Sequence, residues 1–157
     1  MSLPTGQEKH VAVRDMFDRI APRYDLLNRM VSLGLDQSWR RLALDLAAVG
    51  EGDRVLDLAC GTGDLSEQAA DRGAIVLGVD FAREMLRGAS ARGIAVDLAN
   101  GDAAKLPVAN NSIDVVTCGF ALRNFVSLEA VFVEMHRVLK PGGRIALIDV
   151  DRPESAI

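Results

Sequence analysis

Apolar residues recur along this chain in two rhythms. Over the first fifty residues they fall three and four apart, the spacing of a helix packed on one side. Val13, Met16, Phe17 and Ile20 share one face. Leu26, Leu27, Met30 and Val31 make a second, shorter stripe that ends near Gly34, and Trp39, Leu42, Ala43 and Leu46 make a third that ends near Gly50. Three helices with those faces turned inward are predicted. From position 54 the rhythm changes. Short apolar runs at 54–59, 75–79, 94–99, 113–118 and 144–150 read as strands, the third the weakest. Helical stripes lie between them at 65–72, 83–92 and 128–139, the last with Leu128, Val131, Phe132, Met135 and Leu139 facing in. Gly73 and Gly93 stop the first two, and Lys140-Pro141-Gly142-Gly143 reads as a turn before the last strand.

Strands that alternate with helices make βαβ units with right-handed crossovers, hence a parallel sheet. The predicted fold class is α/β and Rossmann-like, with five parallel strands and N-terminal helices: a helical cap over 1–50 and a ligand-binding core over 51–157, in one structural domain. A length of 157 residues, with 49% apolar and 25% charged residues, fits one soluble globular domain. A net charge of −4 argues against a nucleic-acid partner. Two cysteines, Cys60 and Cys118, cannot make a disulfide framework, and a cytoplasmic location is the expectation. No apolar run is long enough to span a bilayer, and no Cys/His cluster suggests a metal.

In such a sheet the ligand sits beyond the carboxyl ends of the strands. The first strand ends in Asp57-Leu58-Ala59-Cys60-Gly61-Thr62-Gly63-Asp64. Glycines at 61 and 63 let the backbone turn tightly and approach a ligand. Asp80, at the end of the second strand, can accept hydrogen bonds from both hydroxyls of a ribose. After the third strand, Gly101-Asp102-Ala103 can meet an adenine amino group. A dinucleotide site would want a third glycine where Ser66 stands, and Asp64 would set a negative charge near the phosphates. Both features favour a cationic ligand with a sulfonium and an ammonium.

Further segments carry a family resemblance. The run 55–63 resembles motif I of class I methyltransferases, and Arg137 to Gly143 resembles their turn before the fifth strand. Phe17 to Asn28, with Ser32-Leu33-Gly34 and Trp39-Arg40, is similar to the N-terminal signature of the ubiquinone/menaquinone biosynthesis C-methyltransferases; Gly119 to Asn124 is similar to the same family's segment after the fourth strand. The likeness runs from about Val13 to Val150. Two departures are visible: Asp36-Gln37 stand where the family usually has His-Arg, and Ala121 is inserted between Phe120 and Leu122. The resemblance implies seven strands, so the last two are expected to be absent from this chain.

What the resemblance implies is S-adenosylmethionine as cofactor, S-adenosylhomocysteine as its product, and C-methylation of a demethylmenaquinol- or ubiquinol-type prenylated quinol. The cofactor-binding residues expected are Asp57, Ala59, Gly61, Thr62 and Gly63 on the first loop, Asp80 and Phe81 on the second, and Asp102 and Ala103 on the third. Cys118 is expected to line the ligand as a small buried residue. Arg123 is expected to stabilise the phenolate, Asn124 to position it or a water, and Tyr24 to close over the site, with Asn28 beside it. Asp149 reads either as catalytic or as a loop cap, and Trp39 as core or as channel wall. His10 and His136 are expected to be solvated. The partner expected is a small hydrophobic quinol met by an enzyme at most peripheral to a membrane, at its inner face. Two alternatives stand beside this reading: a different small-molecule acceptor, or a cofactor-binding domain that is inactive for want of its C-terminal part. The run 144–150 is expected to be buried on both faces. Lacking a later strand beside it, it is expected to form an edge through which copies associate, flanked only by 151–157.

Overall fold

A computed structural model describes residues 5–150. Helices α1 (Gly6–Ile20), α2 (Tyr24–Val31) and α3 (Leu35–Leu46) precede an alternation of β1 (Arg54–Leu58), α4 (Asp64–Ala70), β2 (Ile75–Asp80), α5 (Arg83–Ala91), β3 (Asp97–Asn100), β4 (Ile113–Gly119), α6 (Leu128–Val138) and β5 (Leu139–Ile148). The five strands are parallel in the order β3-β2-β1-β4-β5. The order reverses beside β1, so the β1, β2 and β4 ends open on one crevice.

Strand alternation divides the core. Leu56 and Leu58 of β1 and Val116 and Cys118 of β4 face α6, where Val131, Met135 and Val138 recur at helical spacing. Val55 and Val115 face the other way, onto Leu44, Leu65 and Ala69. Ser127 caps α6 by accepting from the Ala130 N–H at 3.1 Å.

Several expectations need correction. The stripe of α3 predicted to face inward leaves Leu42 and Leu46 exposed; the buried stripe is Asp36, Arg40 and Leu44. An i, i+4 Asp–Arg pair on that stripe makes burial of the polar positions tolerable. Neither α1 nor α2 buries a residue fully, and Val31 is 86% exposed. Leu128 and Phe132 of α6 also stay largely exposed. Residues 140–143 are not a turn ahead of β5. Pairing begins at Ile113↔Leu139, bulges, and resumes at Val115↔Arg144. Within β5, Ala146 and Ile148 pack towards α3, but Ile145 and Leu147 are exposed, so the strand is covered on one face only. Among the described residues β5 pairs on one side alone; the flanking segment 151–157 lies outside them.

Candidate functional site

The chain leaves β1 on a loop that must reverse within a few residues. Gly63 makes this possible at φ +91°, where a Cβ would come within 2.5 Å of Ile94 Cδ1. Beneath the loop, Asp57 is buried and accepts from Ser66 Oγ at 2.6 Å and Thr117 Oγ1 at 2.8 Å. Burial pushes its carboxyl up to about 6. Ser66 therefore has a structural reason to replace the third glycine: it ties α4 to β1.

Above the loop lies a cavity of about 430 Å³. One wall carries Ala59, Gly61, Asp80, Phe81, Asp102 and Ala103. Asp80 is held from both sides, one carboxylate oxygen accepting from the Gly61 N–H and the other from the Ala82 N–H, each at 2.8 Å. Burial raises its pKa, and these N–H donors oppose the rise. Asp102 accepts from the Ala104 N–H at 2.8 Å, forming a turn that leaves its second oxygen without a hydrogen-bond partner among the described residues. The opposite wall carries Tyr24, Phe120, Asn124 and Phe125. Phe17 meets the Tyr24 ring edge-on, 5.8 Å between centroids. A smaller cavity of about 20 Å³ opens beside it. Tyr24, Ala59, Gly61 and Gly119 belong to both walls, and Asp57, Thr62, Asp64 and Arg40 to the smaller one alone.

Residues 5–157 match the model of the ubiE/COQ5 methyltransferase family. The chain belongs to this family. It is similar to a demethylmenaquinone methyltransferase of Thermus thermophilus, 48% identical over 144 residues that cover 88% of this chain and 66% of that protein. It is likewise similar to one of Deinococcus radiodurans, 44% identical and covering 98% of this chain and 67% of that protein. The chain thus spans about two thirds of the length of these relatives. A solved S-adenosylmethionine-dependent methyltransferase of Mesorhizobium loti superposes with a TM-score of 0.62 at 32% identity, covering 69% of this chain and 50% of that one.

The fold brings Tyr24, Ala59, Gly61, Asp80, Phe81, Asp102, Ala103 and Asn124 to the large cavity, while Asp57 and Thr62 line only the smaller one and four further residues depart from expectation. Cys118 is not on the wall: as an α6-facing residue of β4 it lies wholly within the core, where burial raises its thiol pKa. Gly63 shapes the loop and packs against Ile94 and Ala89. Asp64 is not left free for a cationic ligand, because Arg92 pairs with it at 2.7 Å and Gln37 donates to it at 2.9 Å. Arg123 turns away from the cavity, 62% exposed and paired with Asp149 at 3.0 Å. The chain passes through a 3-10 turn at Leu122–Asn124. In that turn neighbouring side chains point about a third of a circle apart, so only Asn124 faces in. The same pair settles what Asp149 does here: it accepts from the Leu122 N–H at 3.1 Å and holds Arg123.

His10, expected in solvent, lines the cavity instead, its ring 5.1 Å from that of Phe81. His10 and Phe17 are seven apart and so share a helix face, a signal present in the spacing. Gln37 was legible only as a departure from the family. In the structure it donates to both Asp36 and Asp64 and accepts from Gln68 at 2.8 Å, joining α3 to α4.

Proposed function

We propose that this chain binds S-adenosylmethionine in the large cavity and directs its methyl group to a ring carbon of a prenylated quinol of the demethylmenaquinol or ubiquinol type. The observation that carries the reading is the pairing of two walls in a member of this family. Asp80 and the glycine loop stand on one side, Tyr24, Phe120 and Asn124 on the other. The names of the Thermus and Deinococcus relatives support the acceptor class.

The cofactor would supply a methyl group on a sulfonium, electrophilic without help from a metal. The chain's own residues have the remaining tasks. The Asp80 carboxylate, already oriented by two N–H groups, keeps lone pairs for ribose hydroxyls. The free oxygen of Asp102 can accept from an amino group on a base. Phe81 and Ala103 offer an apolar slot, and His10 closes it from α1. On the far side the rings of Phe17, Tyr24, Phe120 and Phe125 suit a flat aromatic acceptor. Asn124 can hold the acceptor's oxygen or a water beside it, and Tyr24 can do the same with its hydroxyl. Arg123 reaches the acceptor by exchanging Asp149 for the developing oxyanion; an exposed ion pair is worth at most about 1 kcal/mol, so the exchange is cheap. We assign α1–α3 the role of excluding water from the transfer.

No described helix is long and apolar enough to cross a membrane. A prenylated acceptor nevertheless implies work at a membrane surface, and we place the protein in the cytoplasm or peripherally at the inner face. We also take the β5 edge as the surface where copies associate, which light scattering tests directly.

The test is transfer of a labelled methyl group to a reduced demethylated quinone, with the product analysed by mass spectrometry and NMR. A new methyl on ring carbon is expected. Methylation on oxygen or nitrogen, or a preference for nucleic acid, would overturn the reading.

A further inference from the structure

Arg40 is a buried cation with one donor that the fold leaves unused. It is 7% exposed. Its Nε is fully buried and has no hydrogen-bond partner among the described residues. Asp36 Oδ2 stands 3.7 Å from that nitrogen, too far for a hydrogen bond. The guanidinium lies over the Phe120 ring, 5.0 Å from its centroid, and reaches the end of β4: a Cβ on Gly119 would be 3.3 Å from Arg40 Nη1. A buried guanidinium with an unused N–H carries a cost, because dehydration of that donor is not offset by a hydrogen bond.

Its surroundings show what is missing. Arg40 lines the small cavity with Asp25, Asp57 and Asp64. Each of those carboxylates already has donors. Thr62 serves Asp25, Ser66 and Thr117 serve Asp57, and Arg92 and Gln37 serve Asp64. The acids are hydrogen-bonded within the fold, whereas Arg40 has only the longer pairing with Asp36 and the face of Phe120. The small cavity has room for about one polar group of water size, and it shares Tyr24, Ala59, Gly61 and Gly119 with the large one. A ligand lying in the large cavity can therefore pass one polar end to Arg40.

We propose that Arg40 binds the amino-acid carboxylate of the cofactor at this junction. The assignment rests on the cofactor reading above and adds the residue that fixes the ligand's charged end. A planar guanidinium facing a carboxylate makes charge-assisted hydrogen bonds, and Phe120 beneath it holds the plane.

Two calorimetric titrations test it. With the unaltered chain, S-adenosylmethionine should bind about ten- to a hundredfold more tightly than its decarboxylated form, the range expected for charge-assisted bonds. With Arg40→Gln, affinity for S-adenosylhomocysteine should fall by a similar factor, while 5′-methylthioadenosine, which lacks the amino-acid end, should bind as before. Equal affinity for the carboxylated and decarboxylated ligands overturns the proposal. So does an Arg40→Gln chain that loses both adenosine ligands equally while remaining folded. Should that variant not fold, the decarboxylated ligand alone decides. Failure of the unaltered chain to bind any of these molecules would instead overturn the cofactor reading itself.

Discussion

The two walls of the cavity are made in different ways. The wall at the ends of β1 and β2 is fixed several times over: Asp57 beneath the loop, Asp80 across it, Gly63 at its turn, all buried. The wall from α1 and α2 buries no residue fully and is held by a few polar contacts. Lys9 donates to the Phe125 carbonyl at 2.9 Å, Asp18 accepts from the Glu84 N–H at 3.1 Å, and His10 meets Phe81. The difference suits the two ligands. On the proposed function, a cofactor common to every turnover would be met by a preformed surface, whereas a bulky acceptor would need a wall that can move aside.

The sharpest way to break this comparison is at the loop. Gly63→Ala adds left-handed strain and drives a methyl into Ile94, so we expect a loss of about 2–4 kcal/mol in chemical denaturation. Gly6→Ala, at the start of α1, has φ +58° but open space around it. It should cost about 1 kcal/mol or less. Equal losses at the two sites would remove the distinction.

The next effect is a pH dependence at Asp57. Its folded pKa is raised, to about 6 from 3.8, so the folded state holds this proton more tightly than the unfolded state. The group's contribution to stability is therefore full below about pH 4 and declines as pH rises to about 6, by roughly 2–3 kcal/mol. Asp57→Asn removes that dependence. The stability of the variant relative to the parent should rise across this window and be flat above it. Asp80, also raised by burial, adds a dependence of the same sign in both chains. A difference that does not change with pH would show Asp57 to be less desolvated than its burial implies.

The smallest effect is expected at the shallowly buried wall. Lys9→Ala should change global stability by less than about 1 kcal/mol, yet hydrogen exchange over α1 should quicken while β1 and β4 stay protected. Uniform exchange across α1 and the sheet would show that the helix is as firmly docked as the core.

The same contrast governs what the sequence could reveal. Short apolar strands ending in glycine loops and aspartates are local patterns, and they placed β1, β2, β4 and the crevice correctly. The direction of a side chain at a strand end is a finer matter. Cys118 and Asn124 are six residues apart at one end of the sheet, but alternation turns the first into the core and a 3-10 turn brings the second inward. The helical cap was harder. Hydrophobic spacing alone favoured Leu42 and Leu46 as the inner face of α3, yet Asp36 and Arg40 took it, with Arg40 over the distant Phe120 ring and Gln37 beside them bonded to Asp64. Those contacts, like the pairing of Asp64 with Arg92, leave no periodic trace.

Asp80 is the point on which the functional account depends. Calorimetric titration of the unaltered chain and of Asp80→Ala with S-adenosylmethionine, and with NAD as a control, tests it most directly. We expect micromolar-range binding of S-adenosylmethionine, no binding of NAD, and at least a tenfold loss of affinity in the variant, as about 1.5–3 kcal/mol of hydrogen bonding to a charged acceptor is removed. Unchanged affinity in Asp80→Ala, or binding of NAD by the parent chain, would contradict it.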